Sequence, residues 1–161
     1  MNRILTSALA VFVLLGTTVS QAAASPKARS AQLIELTFKV KTTDGPALSK
    51  ADQKANEGLF KQLDTFIDFE KLTHGPVSVH TKSLTKKQIK TIKALFKKAI
   101  RTIAYPKTGG FLQKAELSWG EEATQGNKSN VELNLWVESE DLETDITFHW
   151  FQTKNGWKLT D

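Results

Sequence analysis

The sequence predicts an α+β fold in which helices come first and pack on one face of a curved antiparallel sheet. Before Pro106, apolar residues recur every three or four positions, as on the buried side of a helix. From Phe111 onward, they alternate with polar residues, which is typical of strands. Asn155-Gly156 is a strong signal for a hairpin turn. Because the helical and alternating patterns are segregated along the chain, we expect an α+β domain.

Residues 1–24 predict a secretory signal peptide. A short basic start is followed by an apolar run from Ile4 to Leu15, and small residues for a signal peptidase follow at 22–24. A transmembrane anchor is the alternative, but the run is shorter than the ~20 residues that cross a bilayer. We therefore expect cleavage after Ala24 or after the alanine two positions earlier. The mature chain should be soluble and act in the periplasm of a Gram-negative bacterium.

The mature chain, residues 25–161, is long enough for a single domain with its own core. The sequence has no Cys, which excludes disulfides, thiol nucleophiles and cysteine-based metal sites. Residues 1–24 contain one basic residue, Arg3, and no acidic one, so their removal lowers the formal net charge from +5 to +4. This excess is mild, and a solvated helix face is the common role of the lysines at 82–98. We expect no nucleic-acid partner.

The helical half begins with an ambiguous segment. Residues 25–30 are expected to form a flexible leader. Residues 32–41 suit a helix but also alternate like a strand, and we prefer the helix. A loop containing Gly45-Pro46 follows, and Ser49 is suited to cap the next helix. The apolar positions of that helix recur every three or four residues: Ala51, Ala55, Leu59, Leu63 and Phe66.

The clearest helix begins at Thr85, which forms a predicted capping box with Gln88. Before it, Asp68 is expected to cap a short turn that extends to Leu72, and Gly75-Pro76 is expected to interrupt the chain. Pro106 with Gly109-Gly110 is expected to end the long helix. The helix is amphipathic, so one side of it should be covered. Its apolar stripe consists of Ile89, Ile92, Phe96, Ala99 or Ile100, and Ile103.

Strands are predicted at 111–119, 131–138, 144–153 and 157–161, with polar loops at 120–130 and 139–143. Alternation places one apolar set on the inner face, and this set is Val131, Leu133, Leu135, Val137, Ile146, Phe148 and Trp150. Thr147, His149 and Phe151 fall on the other face. A filled core is the default interpretation of the aromatic inner face. A hollow between helices and sheet is the functional one.

The sequence shows no catalytic or metal-binding motif. His74, His80 and His149 lack the short spacing of a metal pair on a helix. There is also no nucleophile elbow, no phosphate-binding glycine loop and no dinucleotide fingerprint. His149 with Asp161 is one candidate acid–base pair, although a histidine that hydrogen-bonds locally is more common. We expect no enzyme activity, no metal and no cofactor.

Three segments have a characteristic joint spacing: Phe66-Ile67-Asp68-Phe69, Thr85-Lys86-Lys87-Gln88 and the final residues 155–161. Together they resemble the toluene-tolerance auxiliary family, or MlaC family, of periplasmic phospholipid shuttles. The chain departs from the family pattern at Val77-Ser78 and Thr81, where Leu-Gly and Trp are usual, and Tyr105 is about one place late. Family members also continue into a further strand and helix beyond the point that corresponds to Asp161, so the resemblance implies a shortened or truncated member.

The resemblance implies an NTF2-like cone whose helices and sheet enclose an apolar cavity for the acyl chains of a phospholipid. It also implies exchange of that cargo with an inner-membrane complex of ABC and MCE type and with an outer-membrane partner, in the pathway that maintains outer-membrane lipid asymmetry. The residues predicted to line the pocket are Phe66, Phe69, Leu72, Ile92, Phe96, Ile100, Leu133, Leu135, Phe148 and Trp150.

Two other functions stay open. An NTF2-like dehydratase or isomerase would use His149 as a base in an apolar pocket. A non-catalytic accessory interaction domain would instead have a filled core. A secondary hypothesis is that the lysines of the long helix steer the protein toward anionic lipid or acidic partner surfaces, with transient contact, whereas a solvated helix face would have no such effect. These lysines are Lys86, Lys87, Lys90, Lys93, Lys97 and Lys98.

Overall fold

The computed structural model of the chain describes residues 24–42, 47–80 and 83–160. Residues 1–23, which contain most of the predicted signal peptide, lie outside the described residues, as do Gly45-Pro46, Thr81 and Asp161. Within the described part, helices precede a four-stranded antiparallel meander of order β1-β2-β3-β4, so the predicted α+β class is confirmed. The elements are α1 (Pro26–Phe38), α2 (Lys50–Leu63), α3 (Phe69–Ser78), α4 (Lys86–Ala99), α5 (Tyr105–Leu112), β1 (Glu116–Gln125), β2 (Lys128–Val137), β3 (Leu142–Thr153) and β4 (Gly156–Leu159).

Helix α1 begins at Pro26, so the expected flexible leader at 25–30 is wrong, whereas the helix preferred for 32–41 is confirmed as far as Phe38. The Ser25 hydroxyl oxygen accepts a hydrogen bond of 3.2 Å from the backbone N–H of Ala28. Proline at the first helical position lacks an N–H that would be unpaired there anyway. Two of the buried residues at the start of the helix are Pro26 and Ser30. They do not form an apolar stripe, so the sequence pattern does not indicate a helix there.

Helix α2 starts as predicted, with the Ser49 hydroxyl accepting from the backbone N–H of Asp52 at 3.1 Å. Ala51 and Ala55, predicted on its apolar side, are exposed. Leu63, also predicted there, is buried. The other buried residue of α2 is Asn56, whose side-chain amide accepts from the N–H of Lys41 and donates to its C=O, both at 2.9 Å. The amide thus satisfies both backbone groups of Lys41 and fixes the segment that follows α1.

Asp68 caps α3 as predicted, accepting from the N–H of Lys71 at 3.0 Å. The predicted interruption at Gly75-Pro76 is wrong, because the helix continues to Ser78. Proline restricts the residue before it mainly through a clash with that residue's Cβ and N–H. Glycine has no Cβ, so Gly75 keeps the helical conformation that most other residues would lose.

The capping box at the start of α4 is confirmed: the N–H of Thr85 donates to Gln88 Oε1 at 2.8 Å, and the N–H of Gln88 donates to Thr85 Oγ1 at 3.3 Å. The predicted end of this helix at Pro106 is wrong. A π-helical turn, Ile100–Ala104, joins α4 directly to α5, and Pro106 lies in the first turn of α5. Pro106 has no N–H to donate to the preceding turn, and it lies directly after the π-helical turn, where the regular hydrogen-bond pattern of an α-helix is already interrupted.

Gly109 lies where α5 crosses α1. A Cβ at this position would sit 2.9 Å from the Thr37 carbonyl oxygen, which belongs to the backbone of α1. We expect Gly109→Ala to lower the free energy of unfolding by about 1–2 kcal/mol, because overpacking outweighs alanine's better helix propensity. Gly58→Ala is the control, since a Cβ there meets nothing within 4 Å and should stabilise by up to ~1 kcal/mol. Equal effects in urea unfolding would contradict the packing argument.

The first hairpin differs from its prediction. Phe111 and Leu112 belong to α5, and β1 runs through the predicted loop to Gln125 before a turn at Gly126. The predicted strand boundaries at 111–119 and the predicted loop at 120–130 are therefore wrong. Residues 121–128 are exposed, so no apolar alternation marks this part of the hairpin as strand. The later strands and the Asn155-Gly156 turn are confirmed.

The core lies between the sheet and helices α1, α2 and α5. The inner-face prediction for β2 is confirmed, since its four apolar residues are at most 1% exposed. On β3, Phe148 and Trp150 are also buried, whereas Thr147 and His149 are exposed on the other face. Trp150 Nε1 donates to Ser30 Oγ at 2.9 Å, which in turn donates to the Pro26 carbonyl at 3.0 Å. This chain of hydrogen bonds attaches α1 to the sheet.

Candidate functional site

Helices α3 and α4 pack against each other through polar contacts. Lys93 forms an ion pair with Glu70, and Lys97 Nζ lies 4.7 Å from the ring centroid of Phe69. No residue of α4 is buried. Along the predicted stripe, Ile92 is 37% exposed, and residues 96 and 103 are 36% and 54% exposed. The expected cover on one side of this helix is therefore only partial, and its half-buried residues are Ile89, Lys93 and Lys97.

The predicted pocket residues fall into two groups. The sheet-side group, buried in one apolar cluster, is Phe66, Leu133, Leu135, Phe148 and Trp150. The arm group, on α3, α4 and the π-helical turn, is Phe69, Leu72, Ile92, Phe96 and Ile100. Ile100 packs against the apolar cluster, Phe69 and Leu72 are half-buried, and Ile92 and Phe96 are exposed.

The sheet-side group is close-packed. Leu133, Leu135 and Trp150 are 0%, 1% and 1% exposed. A residue that bordered a space large enough for water would keep more accessible surface than this. Of the predicted pocket residues, those with accessible apolar side chains therefore belong to the arm group.

Asp64 binds side chains of α4, the π-helical turn and α5. Its Oδ2 accepts from Lys97 Nζ at 2.7 Å and from Arg101 Nε at 3.1 Å, and its Oδ1 accepts from the Tyr105 hydroxyl at 3.1 Å. The carboxylate lies in the 3-10 turn Asp64–Phe66 that follows α2, and its side chain is 9% exposed. This carboxylate cluster therefore joins the end of α2 to α4, the π-helical turn and α5.

The electrostatics of the carboxylate cluster follow from its burial and its cations. Burial opposes ionisation of Asp64, but hydrogen bonds from Arg101, Lys97 and Tyr105 outweigh it, so the pKa of Asp64 is lowered. Burial and the adjacent carboxylate raise the pKa of Tyr105 far above its ordinary value. Sequence reasoning missed this cluster, because Arg101 and Tyr105 are 37 and 41 residues from Asp64 and no local pattern links them.

His149 lies on the outer face of β3, where its Nδ1 is 2.9 Å from Asn130 Oδ1. His149 is exposed. The dehydratase or isomerase hypothesis requires it to lie in an apolar pocket, and it does not. Its candidate partner Asp161 lies outside the described residues. Across residues 24–42, 47–80 and 83–160, no group of three or more histidines and carboxylates is placed to hold a metal ion.

No helix in the described segments is long and apolar enough to cross a bilayer. The fold resembles that of a phospholipid-binding protein from Ralstonia solanacearum, solved in complex with a phospholipid, with a TM-score of 0.61 and 16% identity over 86% of this chain and 76% of that one. A putative NTF2-like transpeptidase from Campylobacter jejuni gives a TM-score of 0.39 and 10% identity over 69% of this chain and 97% of that one, which is too remote to support an argument.

A sequence comparison with curated proteins found no match. The family model described as MlaC protein, in contrast, matches residues 31–161. This range extends from the middle of α1 through every later helix and strand. The match therefore shows that the chain belongs to the MlaC family.

Proposed function

We propose that this protein is a periplasmic phospholipid carrier that exchanges its cargo with an inner-membrane complex of ABC and MCE type and with an outer-membrane partner. The observation that carries the proposal is the match of residues 31–161 to the MlaC family, whose members are periplasmic. The similarly folded Ralstonia protein holds a phospholipid, which supports the same ligand class. In this proposal the lipid is cargo, and no metal, cofactor or catalytic residue is required.

We place the acyl chains on the arm group. Its side chains are apolar but remain half-buried or exposed in the described part of the chain, so a lipid that covers them removes apolar surface of both partners from water. Each enclosed methylene contributes roughly 0.8 kcal/mol, so about a dozen contribute on the order of 10 kcal/mol. The close-packed sheet-side group then serves as the rigid wall behind the site.

A specific observation favours a second candidate, a non-catalytic interaction domain. The near-zero exposure of Leu133, Leu135 and Trp150 is that of a filled core. In that case the apolar side of α4 would bind a protein instead of acyl chains. The dehydratase or isomerase alternative receives no such support, because its base, His149, is exposed on the opposite face of the sheet.

The test is a double substitution, Ile92→Gln with Phe96→Gln. Both side chains are more than a third exposed, so the substitutions should change the free energy of unfolding by less than about 0.5 kcal/mol each. We expect the wild-type protein, produced with its own residues 1–24 and released from the periplasm, to carry phospholipid detectable by mass spectrometry of a solvent extract. The variant should carry at least tenfold less phospholipid, because two apolar side chains that contact the acyl chains are replaced by polar ones.

The control is Trp136→Gln with Leu142→Gln, because both residues are 37% exposed but lie on the sheet. The control protein should keep its phospholipid. Wild-type protein without lipid, or equal lipid loss in both variants, would favour the interaction domain over the carrier.

A further inference from the structure

One side of helix α4 carries exposed lysines around an exposed leucine. Leu95 is 59% exposed, and it borders a shallow surface depression together with Lys87, Lys90 and Lys98. The spacing of these residues along the helix places them on one side of it. We name Lys87, Lys90, Leu95 and Lys98 the α4 ridge. The lysines of the ridge lie roughly 120–180° around the helix from Phe96 of the arm group, whereas Leu95 lies beside Ile92, three positions before it.

The lysines of α4 form two sets, one with carboxylate partners and one without. Lys93 and Lys97 point toward α3 and the 3-10 turn, where Glu70 and Asp64 neutralise them. For the lysines of the ridge, no carboxylate of the described residues lies within ion-pair distance. The helix itself, residues 86–99, contains no Asp or Glu. The positive charge of the ridge is therefore available to a partner.

We propose that the α4 ridge docks the protein on the surface of an anionic phospholipid bilayer. The lysine ammonium groups would contact lipid phosphates, and Leu95 would enter the boundary between head groups and acyl chains. A helix with lysines flanking exposed apolar residues is typical of helices that lie in this interface. Lysine also suits it because its methylene stem lies along apolar surface while its charge stays in water. The bilayer is a partner distinct from a single bound lipid, so this inference goes beyond the carrier function.

Other occupants of the ridge fit less well. In a symmetric contact with a second copy, the same patch faces itself, so Lys87, Lys90 and Lys98 would meet their own counterparts. An acidic protein surface would attract the lysines, but it would also need an apolar recess for Leu95. A bilayer surface supplies negative charge and an apolar layer together.

The experiment is co-sedimentation of the full-length mature protein with vesicles. We expect binding to mixed phosphatidylcholine and phosphatidylglycerol vesicles, weakening as salt is added, and little binding to pure phosphatidylcholine. The triple variant Lys87→Glu, Lys90→Glu, Lys98→Glu should lower the partition coefficient by at least about tenfold, because each lysine near an anionic surface contributes roughly fivefold. Leu95→Ser should lower it severalfold.

The matched control reverses three exposed lysines elsewhere, Lys54, Lys107 and Lys114, and so changes the net charge by the same amount. Binding that falls equally in both triple variants would overturn a local docking site. A wild-type dimer that the ridge substitutions convert to a monomer would also overturn the proposal, in favour of self-association. The ridge variant should keep its bound phospholipid, and Phe96→Gln, on the side of the helix away from the lysines, should keep its vesicle binding, so carrier and docking functions fail separately.

Discussion

Replacing Trp150 by alanine is expected to lower the free energy of unfolding by about 3–5 kcal/mol. The side chain is 1% exposed within the apolar cluster, and its removal leaves a cavity that the surrounding side chains cannot fill completely. Urea unfolding followed by far-UV circular dichroism is the measurement, because the substitution also removes a fluorophore. Trp136→Ala on the same sheet is the control, since that ring is 37% exposed and its loss should cost less than about 1 kcal/mol.

The stability of the Trp150→Ala variant also distinguishes a close-packed core from a lipid-filled space at the inner face of the sheet. In a close-packed core, truncation creates a void, whereas beside a lipid-filled space it only enlarges that space. A loss as small as that of the Trp136 control would therefore show that Trp150 borders the lipid. The hydrogen bond to Ser30 is measured independently by a double-mutant cycle of Ser30→Ala and Trp150→Phe, with an expected coupling of about 1 kcal/mol.

The second large effect is expected for Asp64→Asn. The neutral amide keeps the shape of the carboxylate but loses its charge-assisted hydrogen bonds to Lys97 and Arg101. Both cations are partly exposed, at 42% and 34%, so solvent offsets part of the loss. We expect the free energy of unfolding at neutral pH to fall by about 1–3 kcal/mol.

The pH dependence of this effect has a definite sign. The pKa of Asp64 in the folded protein is lowered relative to an unfolded value of about 3.9. Its stabilisation is therefore fully present above about pH 4 and is lost as the pH falls through the lower folded-state value. The difference between wild type and Asp64→Asn should shrink accordingly, whereas Glu121→Gln, an exposed control on β1, should have little effect at any pH. A difference that does not change with pH would contradict the charge argument.

Local chemistry made much of the fold predictable. The capping box at Thr85, the caps at Ser49 and Asp68, and the turn at Asn155-Gly156 each depend on residues within a few positions of one another, and all are confirmed. The alternation in β2 was equally readable, because one face of that strand is buried and the other is largely exposed.

The failures have a common cause in tertiary structure. The sequence predicts a helix end at Gly109, but this residue is the point where α5 approaches the backbone of α1. The predicted leader at 25–30 is instead the start of α1, and it is attached to the sheet through Ser30, whose partner Trp150 is 120 residues away. For the candidate site, periodicity indicates which face of a strand or helix is apolar, but it does not indicate whether that face is packed in the core or left accessible, because this depends on the elements that cover it.

The π-helical turn Ile100–Ala104 has a geometric consequence for the whole molecule. Each π turn takes up about one residue more than an α turn, so it advances the helix by roughly 100° of rotation. Tyr105, Gly109 and Leu112 are buried after the turn, while Ile92, Phe96 and Ile103, before and within it, are more than a third exposed. The π-helical turn therefore sets the rotation of α5 relative to α4 within one continuous helix. Deleting a single residue there would let the helix continue as a regular α-helix with both buried faces in their present orientations, whereas converting the turn to α-helix without a deletion would rotate one of the two helices by roughly 100° away from its present partners.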